Sequence, residues 1–157
     1  MATITKALYD ADFVEWTAHN AELLRQGRFD EVDLEHVAEE IEDLGKRDLR
    51  AVRSELRRML KHLIKQKIQP ERDGASWRGS IVNAQGVIVD SVEDSPSLLP
   101  KLAESLPATY RRAVKEALSE TGLAGQWKDL GIPETCPFSL SQLLDGDVDS
   151  LQIQAIS

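Results

Sequence analysis

Apolar residues recur at helical spacing along almost the whole chain, and no two stretches read as strands that could pair with each other. That pattern constrains the fold more than any other feature. A strand without a partner leaves its backbone donors and acceptors unsatisfied, whereas a helix satisfies most of its own. The sequence therefore predicts an all-α fold, an irregular bundle of five or six helices packed around the third. The first segment carries Tyr9, Phe13, Trp16, Leu23 and Leu24 on one face, with Asp12 or Asp10 as N-cap and Gly27 as its stop. The second starts at a capping Asp33, sets Leu34, Val37, Ile41 and Leu44 on a narrow stripe, and stops at Gly45. The third, from Lys46 to Ile68, turns Leu49, Val52, Leu56, Met59, Leu60 and Leu63 inward with Ile64 at the rim, and Pro70 closes it.

The fourth segment, Ser76 to Asp94, places Trp77, Ile81, Ala84, Ile88 and Val92 on a helical stripe behind a capping Ser76. Its β-branched stretch 87–92 also suits a strand, but no partner exists, and helix is the better reading. Ser97 then caps a fifth helix through Leu98, Leu102, Leu106, Tyr110, Val114 and Ala117 to Gly122, with a kink or split expected at Pro107. Gly and Pro punctuate residues 122–137, an ordered loop pinned by Trp127. Ser139 and Gln142 have the spacing of a capping box for one short final helix, and the tail after Asp145 reads as frayed. One domain over residues 1–157 is expected, with its core at about 8–147.

Charge narrows the function classes. Asp and Glu outnumber Lys and Arg by 27 to 19, a net charge of −8, which argues against generic nucleic-acid binding or docking on anionic membranes. A single cysteine, Cys136, excludes an intramolecular disulfide and suits a reducing compartment. No apolar run reaches the length of a signal peptide core or a membrane span, so a cytoplasmic protein is expected. The charge is also segregated: residues 1–45 carry 12 acids and 3 bases, whereas residues 46–72 carry 10 bases and 3 acids.

Several blocks together resemble a known family. They are Leu8-Tyr9 with Asp12-Phe13 and Trp16, the run from Leu23 to Phe29, and the run from Asp33 to Gly45 with its Ala38-Glu39-Glu40-Ile41-Glu42 core. His62-Leu63, Gln69-Pro70, Ser76-Trp77, Asp94-Ser95-Pro96-Ser97-Leu98 and Cys136-Pro137-Phe138 complete the set. Over about Leu8 to Asp147 the chain resembles the bacterial domain-of-unknown-function family 29. The resemblance implies a small all-helical protein from a bacterium, and it implies no activity. Two positions depart from the family pattern: Gln66 stands where an aromatic is usual, and Gly86 where arginine is common.

Four groups of residues carry possible chemistry. His36 and Glu40 stand one helical turn apart beside Glu39, Glu42 and Asp43, a spacing that supplies two metal ligands. A full site needs more from another helix, for example His62. Only three histidines are present and the paired Glu-x-x-His repeats of di-iron bundles are missing, so a solvated acidic face is favoured and no metal is expected. The basic stripe Lys46, Arg50, Arg53, Arg57 and Lys61 suits an anionic partner, but it lacks the interleaved aromatics that single-stranded nucleic acid requires. Pairing with the preceding acidic helix in an antiparallel hairpin is the favoured explanation. His62, Gln69, Arg72 and Trp77 gather around one turn, as a polar pocket, an interface or a lock on the turn. Asp145, Asp147 and Asp149 imitate the start of a calcium loop, but Ser150 and Ile156 occupy the positions that need Gly and a bidentate acid.

The functional expectation is a non-enzymatic binding or adaptor protein acting through a protein partner, with Glu39, Glu40, His62, Gln69, Arg72 and Trp77 as the candidate binding cluster. No cofactor is expected. A metal-dependent enzyme built on the acidic block with His36 or His62 is the alternative, and nucleic-acid binding through the basic helix is third. Self-association is expected through the fourth segment, where Val82 and Val89 fall off its main apolar stripe.

Overall fold

A computed structural model describes residues 2–154 of the chain, with side chains from Thr5 onward. Among the described residues it contains six α-helices: α1 (Ala2–Ala11), α2 (Phe13–Arg25), α3 (Leu34–Ile68), α4 (Ala75–Asp94), α5 (Leu98–Glu120) and α6 (Leu140–Asp145). Three 3-10 turns, Phe29–Glu31, Pro70–Arg72 and Val148–Ser150, join or follow them, and no strand is present among these residues. The all-α class holds, and residues 87–92 are helical. Within the span expected to form one domain, contacts gather into two compact units, Met1–Arg47 and Asp48–Ser157.

In the N-terminal unit, Asp12 is the N-cap of α2 as expected, its Oδ1 accepting the Glu15 N–H at 3.0 Å. The first predicted segment is nevertheless two helices, because Tyr9, placed on its apolar face, belongs to α1 on the other side of that cap. Gly27 does stop α2, adopting φ 71°, a left-handed conformation that costs any residue with a Cβ. Trp16, Leu23 and Val32 form the unit's apolar centre. The stripe expected to be buried is not. Leu34, Ile41 and Leu44 are 60%, 64% and 57% exposed, and Val37 is half-buried. The face of α3 that turns inward here carries Asp33, His36 and Glu40, because α1 and α2 meet it with the polar edges of Tyr9 and Trp16.

A second correction concerns Gly45, which does not stop a helix. The second and third predicted helices are one continuous element of 35 residues. Gly45 lacks the positive φ of a C-cap glycine, and it is flanked by helix formers and cations on one side and by acids on the other. A helix-interior glycine costs about 1 kcal/mol against alanine. A Cβ at Gly45 meets nothing within 4 Å, so Gly45→Ala is expected to stabilise the protein by about 0.5–1 kcal/mol in urea unfolding. The antiparallel hairpin of acidic and basic helices is therefore absent. Instead, Arg57 pairs with Glu116 at 3.1 Å, and Lys61 and Lys65 both pair with Glu120, all across to α5.

In the C-terminal unit, Leu56, Met59, Leu60 and Leu63 of α3 pack with Ile81, Ala84 and Ile88 of α4, Leu102, Tyr110 and Val114 of α5, and Leu143 of α6. Ile64 belongs to this core rather than to its rim, whereas Leu49 is only partly buried. Gly74, not Ser76, is the N-cap of α4, and Ser97 occupies the N-cap of α5 without a side-chain hydrogen bond. Helix α5 runs unbroken through Pro107. Proline removes one backbone donor there, but Ala103, whose carbonyl loses its partner, lies on the exposed face where water replaces it. The capping box at α6 is complete: Gln142 N–H donates to Ser139 Oγ at 3.1 Å, and Ser139 N–H to Gln142 Oε1 at 2.8 Å. Ser139→Ala is expected to cost about 1 kcal/mol, read as a lowered urea midpoint.

The tail is docked where fraying was expected. Val148, Leu151 and Ile153 are buried in the core, and Asp149 accepts two hydrogen bonds from the Arg78 guanidinium at 2.8 and 2.9 Å. Residues 155–157 of that predicted tail lie outside the described residues. The false calcium loop also finds its use, since Asp147 caps the last 3-10 turn through the Asp149 N–H.

Candidate functional site

Asp33 is fully buried at the start of α3, where a carboxylate satisfies backbone donors that the first helical turn leaves free. Its cap bond to the His36 N–H is long, at 3.5 Å, because the carboxylate has other partners. Oδ2 lies 2.6 Å from His36 Nδ1 and accepts the Trp16 indole N–H at 3.1 Å. Asn20 completes the network, accepting the Asp33 backbone N–H at 2.9 Å and donating its amide to the Trp16 carbonyl at 2.9 Å. The Tyr9 ring stacks on the His36 imidazole with centroids 3.9 Å apart and planes 9° from parallel. Its hydroxyl donates to Glu40 Oε1 at 2.6 Å.

The electrostatics follow from these contacts. Burial alone would raise the Asp33 carboxyl, but hydrogen bonds from His36 and Trp16 outweigh it and hold the group below the usual range. The same bond to Asp33 raises His36, against a smaller opposing effect of burial. Tyr9 is pushed up to about 12, first by its hydrogen bond to Glu40. Because Nδ1 is committed to Asp33, Nε2 is the His36 nitrogen left to exchange a proton with a ligand. A raised imidazole near neutral pH is a better proton or hydrogen-bond donor than a base. Among the described residues no group of three or more His, Cys, Asp or Glu is placed to hold a metal ion.

The sequence-derived cluster divides between the units. Glu39 and Glu40 belong to the N-terminal one: Glu39 is exposed, while Glu40 is half-buried, held by Tyr9 and 3.8 Å from Arg47. In the C-terminal unit His62 and Trp77 do meet, with ring centroids 6.3 Å apart, and the Lys65 ammonium sits 5.9 Å from the Trp77 centroid. His62 Nδ1 is buried with no hydrogen-bond partner among the described residues. Burial first, then Lys65 and Lys61, push that imidazole down to about 4. Gln69 and Arg72 share only a backbone bond in the 3-10 turn, 3.0 Å from N–H to carbonyl, and the Arg72 side chain is exposed.

Of the basic stripe, Lys46, Arg50 and Arg53 are exposed, whereas Arg57 and Lys61 are half-buried and paired with α5. A cavity of about 500 Å³ in the C-terminal unit is lined by Leu63, Gln66, Lys67, Asp73, Arg78 and Asp149 among others. Two polar pairs lie in its wall, the Gln66 amide donating to Asp73 at 3.0 Å and the Arg78 guanidinium to Asp149. Sequence reading missed this cavity because the tail that closes it looked unstructured. It also missed the Asp33 network, reading Tyr9 and Trp16 as plain core residues and Asp33 as a cap alone. The i, i+3 spacing of Asp33 and His36 was the signal available.

The family model described as Domain of unknown function DUF29 matches residues 8–148. The chain belongs to the DUF29 family. Among curated proteins and among solved structures, none matches it. The DUF29 match takes in both units, from Leu8 beside the stacking Tyr9 to the buried Val148. No helix among the described residues is long and apolar enough to cross a membrane.

Proposed function

We propose that this DUF29 protein is a non-enzymatic binding or adaptor protein of the bacterial cytoplasm, acting through a protein partner. One observation carries the reading. Of the ten large apolar side chains that are exposed among the described residues, seven lie in the N-terminal unit, including Phe13, Phe29, Leu34, Ile41 and Leu44. Exposed apolar surface concentrated in so short a segment marks an interaction face more often than it marks chance. A photo-crosslinking amino acid placed at Val14 and at Leu34, in cells expressing the full chain, should give a discrete protein adduct. Placement at exposed Glu104 serves as the control. Adducts no stronger at the first two sites than at the control would overturn the reading.

An enzymatic reading is favoured by a different observation, the His36 imidazole oriented by a buried carboxylate. In its metal-dependent form it predicts one zinc, iron or manganese per purified chain, lost in Glu40→Gln or His36→Ala. We expect metal analysis to find no such stoichiometric metal. Nucleic-acid binding through Arg50 and Arg53 remains the weaker proposal, because Arg57 and Lys61 already have acidic partners. It predicts salt-dependent retention on a nucleic-acid column. Self-association through α4 is supported by the exposure of Val82 and Val87, while Val89 is half-buried. It predicts a dimer in light scattering that Val82→Asp with Val89→Asp converts to a folded monomer.

A further inference from the structure

The N-terminal unit combines an acidic surplus with an exposed apolar stripe on α3. Met1–Arg47 contains 12 acids and 5 bases. Every one of those bases already faces an acid of the same unit: Lys6 with Glu35, Arg25 with Glu22, Arg28 with Glu31, Lys46 with Asp43, and Arg47 with Glu40. The unit therefore has no basic side chain left to neutralise its remaining carboxylates. Leu34, Val37, Ile41 and Leu44 follow the 3-4-3 spacing of a helix–helix seam, and three of the four stand well out in solvent. Glu35 and Glu42 each follow a seam residue and stand about 100° further round the helix, with exposed Glu39 beside them on that flank. Glu35 already reaches Lys6, but no base of the unit among the described residues pairs with Glu39 or Glu42, so the seam is apolar and this flank is acidic.

Resting on the adaptor reading, we propose that this face of α3 docks a cationic amphipathic helix of a partner protein. Apolar side chains at i, i+3, i+4 and i+7 of such a helix fill the seam, and flanking Lys or Arg meet Glu39 and Glu42. Charge selects this occupant over the others. A second copy of the chain paired antiparallel here sets the Glu39 and Glu42 flank of each against the other, and an anionic membrane is repelled for the same reason. Desolvation of the leucine and isoleucine side chains supplies affinity, and the acidic flank supplies selectivity and on-rate.

The test uses the full chain and a fluorescein-labelled amphipathic helical peptide of leucine and lysine, beside a peptide of the same composition scrambled to destroy its apolar face. Anisotropy should show the amphipathic peptide binding at least about tenfold more tightly than the scrambled one, with affinity falling as salt rises. Leu34→Ser with Ile41→Ser should weaken it by about tenfold or more, and both sites are exposed enough for circular dichroism to stay unchanged. Equal binding of the two peptides, or binding indifferent to the serine substitutions, overturns the proposal. So does sedimentation showing a wild-type dimer that the serine variant dissociates, since a second copy then covers the face. If the peptide assay fails while crosslinked adducts persist from Val14, the seam is wrong and the adaptor reading survives. Loss of the adducts as well removes both.

Discussion

Asp33→Ala is expected to destabilise the N-terminal unit by about 3 kcal/mol, enough to melt it within the otherwise folded chain. Three losses combine. The Trp16 indole N–H keeps its buried position without an acceptor, the His36 imidazole loses the carboxylate that orients it, and the first turn of α3 loses its cap. A unit that ends at Arg47 buries too little apolar surface to absorb such a cost. Circular dichroism should report a partial loss of helix, and the tryptophan emission should gain a red-shifted component from Trp16, a shift that is absent when the same substitution is made in a Trp16→Phe background. Asp33→Asn keeps an acceptor oxygen and the cap, and should lose less. An Asp33→Ala protein with wild-type helicity and an unchanged urea midpoint refutes this account of the network.

The pH dependence of the same pair has two limits. His36 is raised in the folded state, so its contribution is complete below the ordinary histidine value of about 6.5 and fades as pH rises through the raised one. Asp33 is lowered, so its contribution is complete above about 3.9 and fades as pH falls through the depressed one. The penalty of Asp33→Ala should therefore be greatest between those limits, in mildly acidic buffer, and shrink in alkaline buffer.

The second large effect is acid destabilisation through His62. Its folded value is about 4, whereas the unfolded chain takes up the proton near 6.5. Between those values the unfolded state binds more protons, so stability falls with falling pH, by about 2 kcal/mol from pH 7 to pH 5 and about 3 in all. Burial opposes the charged imidazole, and Lys65, Lys61 and Arg58 add to that opposition from α3, while Glu120 of α5 works against them. His62→Leu should remove this part of the acid sensitivity, leaving only the gentler slope of the carboxylates. Urea midpoints of both proteins at pH 7 and pH 5 give the comparison. Parallel losses in the two would show that His62 titrates normally.

Both sites show where periodicity runs out as evidence. Spacing placed the helices α4, α5 and α6 and most of the larger core, because a residue such as Leu56 or Val114 is buried by apolar contact alone. It failed at the start of α3, where the inward face is chosen by hydrogen bonds to Asp33 and Glu40 rather than by alkyl groups. Leu34, Ile41 and Leu44 formed the cleaner stripe and are the exposed one. Gly45 misled for a related reason, since glycine is a strong stop only where the chain needs a positive φ, as at Gly27 and Gly122. The tail escaped because its anchor, Arg78 with Asp149, joins residues 71 apart in the chain. No local pattern announces such a pair.

The loop between α5 and α6 has a bearing on which changes of length the protein tolerates. The Pro133 carbonyl accepts both the Tyr110 hydroxyl at 2.7 Å and the Trp127 indole N–H at 3.3 Å, and that indole also reaches the Ile132 carbonyl at 3.1 Å. Tyr110 is fixed in the core of α5, so the distance along the chain from Trp127 to Pro133 is fixed by geometry. Surface connections usually accept added or missing residues freely. Here a single inserted residue between Trp127 and Ile132 would strand two buried donors and lift Ile132 out of the core. Insertions belong instead near exposed Ala124 and Gly125, ahead of the clamp, where only the backbone turn from Gln126 N–H to the Leu123 carbonyl at 3.1 Å is disturbed.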